Sequence, residues 1–227
     1  EFRRVLFRSQ LTLVQEGGRS SYKCLDHKGV SHLITAATSP NGKVTERRLR
    51  YVRVTETFDM SGVPDEKRPD IDTSSVVLAF PVESSGEARL EPSSYVFAYL
   101  PIRQMGFKFP FHADFILNSG REEVLTDRTW NIGLRNCIAT TFVAALEQFK
   151  KTEALGLSYL NYLPTASEVP DGFFGEVRQQ IVDGLSAVAS LPSASGDWRL
   201  PSELRIASAG VRELFPSALA NELFGFE

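Results

Sequence analysis

Cysteine is scarce in this chain, and its scarcity limits the kinds of site that the protein can build. Only Cys24 and Cys137 occur among the 227 residues, and both lie in apolar patterns. Two thiols so far apart are too few for a disulfide framework or a cysteine zinc site. We therefore expect reduced core thiols and an intracellular protein, cytoplasmic or nuclear, because disulfides belong mainly to oxidising compartments.

Long apolar runs, phosphate-loop motifs and an excess of positive charge are also missing. No apolar run approaches the roughly 18 residues needed to cross a bilayer, so no membrane partner is expected. No G-x-x-x-x-G-K-[ST] sequence occurs, which excludes a P-loop nucleotide site within this chain. The formal net charge of −3 argues against general nucleic-acid binding.

The first nine residues, EFRRVLFRS, match the codon-for-codon translation of a common sequencing adapter. We expect residues 1–9 to be an artefact, to be excluded from fold prediction in the same way as a fusion scar. Their removal takes Lys and Arg from 25 to 22 and Asp and Glu from 28 to 27, so the net charge becomes 22 − 27 = −5. The rest is expected to be a fragment of a longer protein, cut at one end or both.

Strand-like patterns fill the first half of the chain. The segments LTLVQ, SYKCL, HLITAAT and LRYVRVTETF are separated by glycine-containing breaks typical of hairpins. A charged, proline-rich stretch at 61–72 predicts a mobile surface loop. Two more strands are predicted at 75–82 and 95–100, and a short one at 115–117. For the segments before residue 60 the simplest topology is an antiparallel meander. The strands at 75–82 and 95–100 are expected to form a hairpin or to be adjacent in one sheet.

Helical patterns follow in the second half. Thr126 or Asp127 is predicted to cap a long helix whose apolar residues recur at three and four positions as far as Phe149. A second helix is predicted at about 171–189. The tail predicts a short strand at 198–206 and a last helix at 211–224.

These patterns together predict an α+β fold. Residues 10–155 are expected to form a sheet-rich, mostly antiparallel domain that ends in the long helix, and residues 156–227 a helical extension. Phe107, Phe109 and Phe111 alternate, so their rings should share one face. We expect them to pack in a core rather than to form a stacking platform for bases or sugars.

The stretch from Tyr95 to Asn131, YVFAYLPIRQMGFKFPFHADFILNSGREEVLTDRTWN, is the densest in aromatic residues and defined turns. Its pattern, (apolar)-PIR-x-x-G-F-K-F-x-x-x-A-D-F-x-L-x-S-x-R-E followed by W-N, resembles the sacsin and NO VEIN branch of the heat-shock-90-like proteins. The resemblance is specific for about residues 74–130. In that branch a GHKL-type ATPase domain precedes this region. The resemblance therefore implies a transducer or middle-domain segment downstream of an ATPase domain.

The resemblance also implies roles for two residues of one turn. Heat-shock-90 chaperones carry an Asn-x-Ser-Arg-Glu run in the middle domain, and its arginine contacts the ATP γ-phosphate. Asn118 and Arg121 keep the three-residue offset, whereas Gly120 and Leu125 stand where the chaperones have serine and glutamine. The resemblance thus implies a catalytic γ-phosphate contact by Arg121, in trans to the upstream domain, and a cofactor contact by Asn118. A guanidinium suits this role because it binds phosphoryl oxygens bidentately.

No cofactor is expected in the fragment itself, which alone should not be an enzyme. The GHKL nucleotide signatures, a Glu-x-x-x-Asn helix followed by Asp-x-Gly-x-Gly, are absent from the chain. The resemblance implies ATP and Mg²⁺ for the upstream ATPase domain, which would be the partner of this segment, with protein clients as further partners. The implied function is coupling of ATP binding to downstream domains in a chaperone-like ATPase.

Other interpretations of the same residues stay open. Arg121 could instead form a surface salt bridge with an adjacent glutamate or pack against a helix. His112 and Asp114 lie two residues apart and could form a His–carboxylate pair on a strand, but Ser119 lacks a nucleophile elbow, so a hydrolase is not favoured. The alternative function is a non-enzymatic protein-interaction scaffold in which ATPase activity is degenerate.

Overall fold

The chain divides into two compact units, the first ending at Arg178 and the second beginning at Gln179. The computed structural model describes residues 10–15, 18–27, 30–38, 43–165, 167–169 and 172–205. The predicted last helix at 211–224 and the adapter-like residues 1–9 lie outside these ranges. The domain boundary expected at residue 155 stays a prediction.

The first unit is built on an eight-stranded sheet. Its strands are β1 (Gln10–Gln15), β2 (Gly18–His27), β3 (Val30–Thr38), β4 (Val44–Asp59), β5 (Thr73–Val82), β6 (Tyr95–Ala98), β7 (Leu100–Gln104) and β8 (Phe111–His112). They lie in the order β1-β2-β3-β4-β5-β8-β6-β7. β1 to β4 pair in sequence order and antiparallel, as predicted, and β5 pairs antiparallel with β4. The expected hairpin or adjacency of 75–82 and 95–100 is wrong, because β8 lies between β5 and β6 and runs parallel to β6. The predicted α+β class with a mostly antiparallel sheet is confirmed.

β5 is the central strand on which the first helix packs. It pairs with β4 from Thr73 opposite Asp59 to Val82 opposite Arg50. Most of its length is buried, including Leu78 and Phe80, which are fully buried. A strand covered on both faces needs apolar residues at successive positions, which explains the nearly continuous run VVLAFPV.

The segment between β7 and the first helix differs from the prediction. Residues 115–117 after β8 do not form a strand; Leu117 makes only an isolated bridge to Val124. The backbone of Ile116 bonds instead to a side chain of the following helix and to Leu125. Gly106 makes the predicted turn with φ +80°, and a Cβ there would lie 1.8 Å from the Glu168 carbonyl oxygen, so the position requires glycine.

The helices are α1 (Thr129–Ala144), α2 (Leu146–Phe149), α3 (Glu153–Ser158) and α4 (Gly175–Ser186), with a 3₁₀ turn at Tyr159–Tyr162. The predicted long helix corresponds to α1 and α2, and α4 lies within the predicted second helix. Capping by Thr126 or Asp127 is wrong, because α1 begins later and Arg128 occupies its N-cap position without a side-chain cap. None of the helices in the described ranges has the length and apolar character needed to traverse a bilayer.

The described part of the second unit contains the end of α4 and a short hairpin of β9 (Leu191–Pro192) and β10 (Trp198–Arg199). The hairpin turn is closed by the Ser193 N–H, which donates to the Asp197 carbonyl at 2.7 Å. The strand predicted at 198–206 is only two residues long because a 3₁₀ turn begins at Pro201. Proline has no N–H to donate to a strand partner.

A cluster of aromatic rings forms the core of the first unit. Phe80 lies at its centre, with ring-centroid distances of 5.0 Å to Phe109, 5.4 Å to Phe142, 4.8 Å to Phe149 and 5.1 Å to Tyr162. These distances lie in the range where aromatic pairs attract each other beyond simple burial. The predicted core packing of Phe107, Phe109 and Phe111 is also confirmed, since all three are fully buried.

Truncation of the central ring should cost much of the stability of the first unit. We expect Phe80→Ala to lower the free energy of unfolding by about 3–5 kcal/mol, because it removes buried ring contacts and leaves a cavity. Chemical denaturation of the whole chain measures this change. Leu157→Ala is the control, since Leu157 is 66% exposed and its truncation should matter by less than about 0.5 kcal/mol. A loss below about 1 kcal/mol for Phe80→Ala would contradict the central role of this ring.

Cys137 should make stability sensitive to alkaline pH. Burial raises the pKa of its thiol from 9.0 to about 11, so the folded state holds the proton more tightly than the unfolded state. Its stabilising contribution is complete below pH 9 and is lost as the pH rises through 11. We expect the free energy of unfolding to fall less steeply between these pH values in Cys137→Ala. An equal fall of the unfolding free energy with pH in both proteins would refute this expectation. Burial also raises the pKa of Tyr162, but Tyr162 is present in both proteins and affects them equally.

Candidate functional site

Asn118 and Arg121 are the first and last residues of a tight turn before α1. The Arg121 N–H donates to the Asn118 carbonyl at 3.0 Å, and the Asn118 N–H donates to the Glu123 carbonyl at 3.0 Å. Asn118 Oδ1 accepts the N–H of Glu122 at 3.1 Å and that of Glu123 at 3.4 Å. Asparagine commonly closes turns in this way. The amide oxygen of Asn118 therefore shapes the turn, and its contact with a cofactor stays a prediction.

Arg121 has a left-handed backbone conformation and a guanidinium without a partner in the described ranges. Its φ of +59° lies in the left-handed region, which costs a non-glycine residue roughly 1–2 kcal/mol. Its side chain is exposed, and within the described ranges the guanidinium has no hydrogen-bond or ion-pair partner. The salt bridge to an adjacent glutamate is not formed; Glu123 lies 3.7 Å from Arg103 instead. Strained residues of this kind concentrate at functional sites.

The buried side chain of Asn131 holds both ends of the segment that carries Arg121. Its Nδ2 donates to the carbonyls of Ile116 at 2.8 Å and Leu125 at 2.7 Å, and its Oδ1 accepts the Ile116 N–H at 2.8 Å. A direct bond from the Leu125 N–H to the Ile116 carbonyl, 3.0 Å long, closes the base of the loop. Asn131 lies in the first turn of α1, so it fixes the Arg121 turn to that helix.

Arg121 lines a cleft of about 250 Å³. Lys67 and Arg68 reach this cleft from the loop after β4, and Tyr99 from the connection between β6 and β7. Tyr99 also has a positive φ, +60°. Within the described ranges, Tyr99 and Arg121 are the two non-glycine residues with left-handed backbone, and both line this cleft.

Arg68 and Asp114 form a bidentate ion pair on the cleft wall. Arg68 Nε and Nη2 each lie 2.8 Å from one carboxylate oxygen of Asp114. Charge-assisted pairs with this fork geometry are among the strongest side-chain contacts. The pair also corrects the suggested His112–Asp114 interaction: His112 Nδ1 lies 3.3 Å from the Tyr99 N and 3.2 Å from the Phe97 carbonyl oxygen. A hydrolase-like His–carboxylate arrangement is therefore absent from this cleft.

The 61–72 loop is exposed along much of its length, but it is tied to the start of α1. Arg128 Nη1 lies 2.8 Å from Glu66 Oε1 and 3.6 Å from Asp65 Oδ2. The hydrogen bond to Glu66 raises the pKa of the Arg128 guanidinium. Thr129 Oγ1 donates to the Pro64 carbonyl at 3.2 Å. The sequence prediction of a mobile loop did not include these attachments.

Close packing at Gly133 brings the same loop against α1. A Cβ built at Gly133 would lie 3.0 Å from Val63 Cγ2 and 3.2 Å from Met60 Cε, so a larger residue would require these side chains to shift by a few tenths of an ångström. Together with Trp130, whose Nε1 donates to the Asp114 carbonyl at 3.0 Å, Gly133 makes α1 the support of the cleft.

Four residues of the cleft and its support were not predicted as site residues. Lys67 and Arg68 lie in a charged stretch that resembles any solvated loop, and nothing in the local sequence marks Tyr99 as strained. Asn131 could have been singled out from the sequence, because it belongs to the W-N pair of the pattern that resembles the sacsin and NO VEIN branch. In the part of the chain that the structure describes, no three His, Cys, Asp or Glu side chains are grouped as a metal site.

The fold and the cleft define an α+β segment that presents a strained, exposed arginine beside a small basic cleft. Over 173 residues the chain is 32% identical to Protein NO VEIN of Arabidopsis thaliana, a match covering 68% of this chain and 6% of that protein. The chain is therefore related to NO VEIN, as the pattern at 95–131 suggested, and spans a small part of that relative's length. No family model and no solved structure matches the chain.

Exchange of the Asn131 amide for a carboxylate should loosen the Arg121 turn. Asn131→Asp removes both donors and faces a negative charge towards two carbonyl oxygens, so we expect a loss of at least about 2 kcal/mol in unfolding free energy. Hydrogen exchange of the amides at 116–125 should accelerate. Asn136→Asp is the matched control, because Asn136 is exposed and a carboxylate would still accept the bonds that Arg135 donates to its Oδ1. Unchanged exchange in Asn131→Asp would show that the turn does not depend on the amide.

Proposed function

We propose that this chain is the transducer segment of a heat-shock-90-like ATPase of the GHKL superfamily, of the sacsin and NO VEIN type. In this proposal it couples ATP binding in an upstream domain of the parent protein to the domains that follow. Arg121 contacts the γ-phosphate in trans. The observation that carries the proposal is the uncommitted Arg121 guanidinium on a strained, hydrogen-bonded turn at the mouth of a basic cleft.

The size of the cleft supports a phosphoryl group as its ligand. Pockets for drug-sized molecules measure roughly 300–1,000 Å³. A cleft of about 250 Å³ is smaller, so it suits the terminal part of a nucleotide better than a whole one. This agrees with the absence of GHKL nucleotide signatures from the sequence. Base, ribose and Mg²⁺ would be bound by the upstream domain.

Arg121 would act by stabilising charge. Phosphoryl transfer spreads negative charge over the oxygens of the γ-phosphate, and a preorganised guanidinium stabilises it without reorganisation at the moment of reaction. Asn118 contributes by holding the turn, through the bonds of its Oδ1 to the N–H groups of Glu122 and Glu123. Bound ATP and Mg²⁺ supply the reacting phosphoryl group and its counter-charge.

A route for coupling leads from the turn to the core. Asn131 joins the turn to α1, and Phe142 of α1 packs edge-on against Phe80 of β5. Displacement of the Arg121 turn on phosphate binding would therefore move α1 and, through α1, the central strand β5. Transitions of this kind move packed elements as bodies.

Removal of Arg121 should suppress ATP hydrolysis by the parent protein. We expect Arg121→Ala to lower kcat at least about a hundredfold, as for other arginine and oxyanion contacts. Arg121→Lys should recover only part of the rate, because lysine keeps the charge but cannot bind bidentately. A steady-state ATPase assay of the full-length parent measures both.

Arg103→Ala is the control for this assay. Arg103 is exposed, pairs with Glu123 at 3.7 Å and lies outside the cleft, so its loss should leave the rate within about twofold. Hydrolysis by Arg121→Ala at the wild-type rate would reject the catalytic role. Absence of hydrolysis in the unaltered parent would favour the alternative, a protein-interaction scaffold with degenerate ATPase activity.

A further inference from the structure

Two cations of the cleft have no counter-charge within the described ranges: Arg121, described above, and Lys67. Its side chain is exposed, and within the described ranges its ammonium group has no hydrogen-bond or ion-pair partner. Arg68, its neighbour on the same wall, is different because Asp114 binds it bidentately. Three cations and one carboxylate therefore leave two positive charges free, those of Lys67 and Arg121.

The backbone around Lys67 is fixed on both sides. Its N–H donates to Asp65 Oδ1 at 2.9 Å, and its carbonyl accepts Arg68 Nη1 at 2.9 Å. Asp65 is buried and lies close to Arg128 at the start of α1. Lys67 is therefore presented by an anchored segment, so binding would require ordering of its side chain but not of the loop.

The two free charges match the charge of a terminal phosphoryl group. Such a group carries about 1.5 to 2 negative charges at neutral pH and offers several strong acceptor oxygens. Arginine provides a planar fork that orients the group, whereas lysine provides a compact point charge. Lys67 and Arg121 reach the same cleft from two different loops, so one anion could contact both.

We propose that Lys67 is a phosphate-contacting residue that shares one polyphosphate anion with Arg121. This inference rests on the proposed function and extends it, because the resemblance to heat-shock-90-like proteins assigned no role to the 61–72 loop. Arg68 and Asp114 then act as positioning residues, since their ion pair and the Arg68 bond to the Lys67 carbonyl fix the lysine backbone.

Calorimetric titration of the 227-residue chain with inorganic tripolyphosphate tests the proposal. We expect one anion to bind per chain, and Lys67→Ala and Arg121→Ala each to raise Kd at least about tenfold, the effect of losing one charge-assisted contact. Lys67→Arg should restore Kd to within about threefold, because it keeps the charge. Lys151→Ala is the control, since Lys151 bonds to Gln148 at the end of α2 and should change Kd less than about twofold.

The unaltered chain and its four variants should melt within about 2 °C of one another, because all the exchanged side chains are exposed. Unchanged binding by Lys67→Ala beside lost binding by Arg121→Ala would overturn the inference and leave the proposed function standing. Unchanged binding by Arg121→Ala beside lost binding by Lys67→Ala would overturn the shared site. No binding by the unaltered chain would overturn the inference as well, and the ATPase assay of the parent would then test the role of Arg121 independently.

Discussion

The buried amide of Asn131 is the interaction on which the candidate site depends. Backbone bonds and the Asn118 side chain close the loop between Ile116 and Leu125 within itself, and the Asn131 side chain attaches both ends of this loop to α1. A primary amide offers two donors and an acceptor, and here all three functions face backbone groups of the loop. In a buried setting such a satisfied group is hard to replace, since any partner left alone would lose its hydrogen bond without gaining one from water. The strained conformation of Arg121 is thus supported by the bonds within the turn and by the attachment of the loop ends to Asn131.

The aromatic core makes that attachment rigid. α1 begins with Trp130 and Asn131 under the cleft and continues to Phe142, which packs among the rings around Phe80. A helix fixed at its far end by close-packed rings cannot easily shift at its near end, because protein interiors are packed like crystals. The 61–72 loop uses the same support through Arg128 and Gly133. The loop with Lys67 and the loop with Arg121 are thus both attached to α1, so the backbone positions of these two residues are fixed to the same helix.

The periodic parts of the fold were predictable, and the site was predictable only in part. Alternation and helical spacing report burial on one face, so the meander, α1 and the three alternating phenylalanines could be predicted locally. The strand predicted at 115–117 is missing because the Ile116 N–H bonds to the Asn131 side chain instead of to a neighbouring strand. The predicted cap is missing because α1 begins after Arg128, which makes no side-chain cap. Sequence spacing alone encodes neither outcome. Asp114 pairs with Arg68, 46 residues earlier, rather than with its neighbour His112. Partners so distant in sequence become visible only when the fold brings the loop after β4 beside the end of β8.

The strain at Arg121 bears on the choice between a phosphate-binding segment and a passive scaffold. A turn that had only to be stable would place glycine or asparagine at a φ of +59°, because those residues adopt it at little cost. The chain instead has Gly120 one position earlier and a long charged side chain at the strained position. The guanidinium makes no contact within the described ranges that would offset this cost. Contacts within the described ranges therefore do not explain an arginine here, whereas the proposed binding of an anion would. A protein-interaction scaffold would need a partner protein that places a negatively charged group in this cleft, beside Lys67 and Arg121. In the proposed function, the phosphate of a nucleotide held by the upstream domain would be that anion.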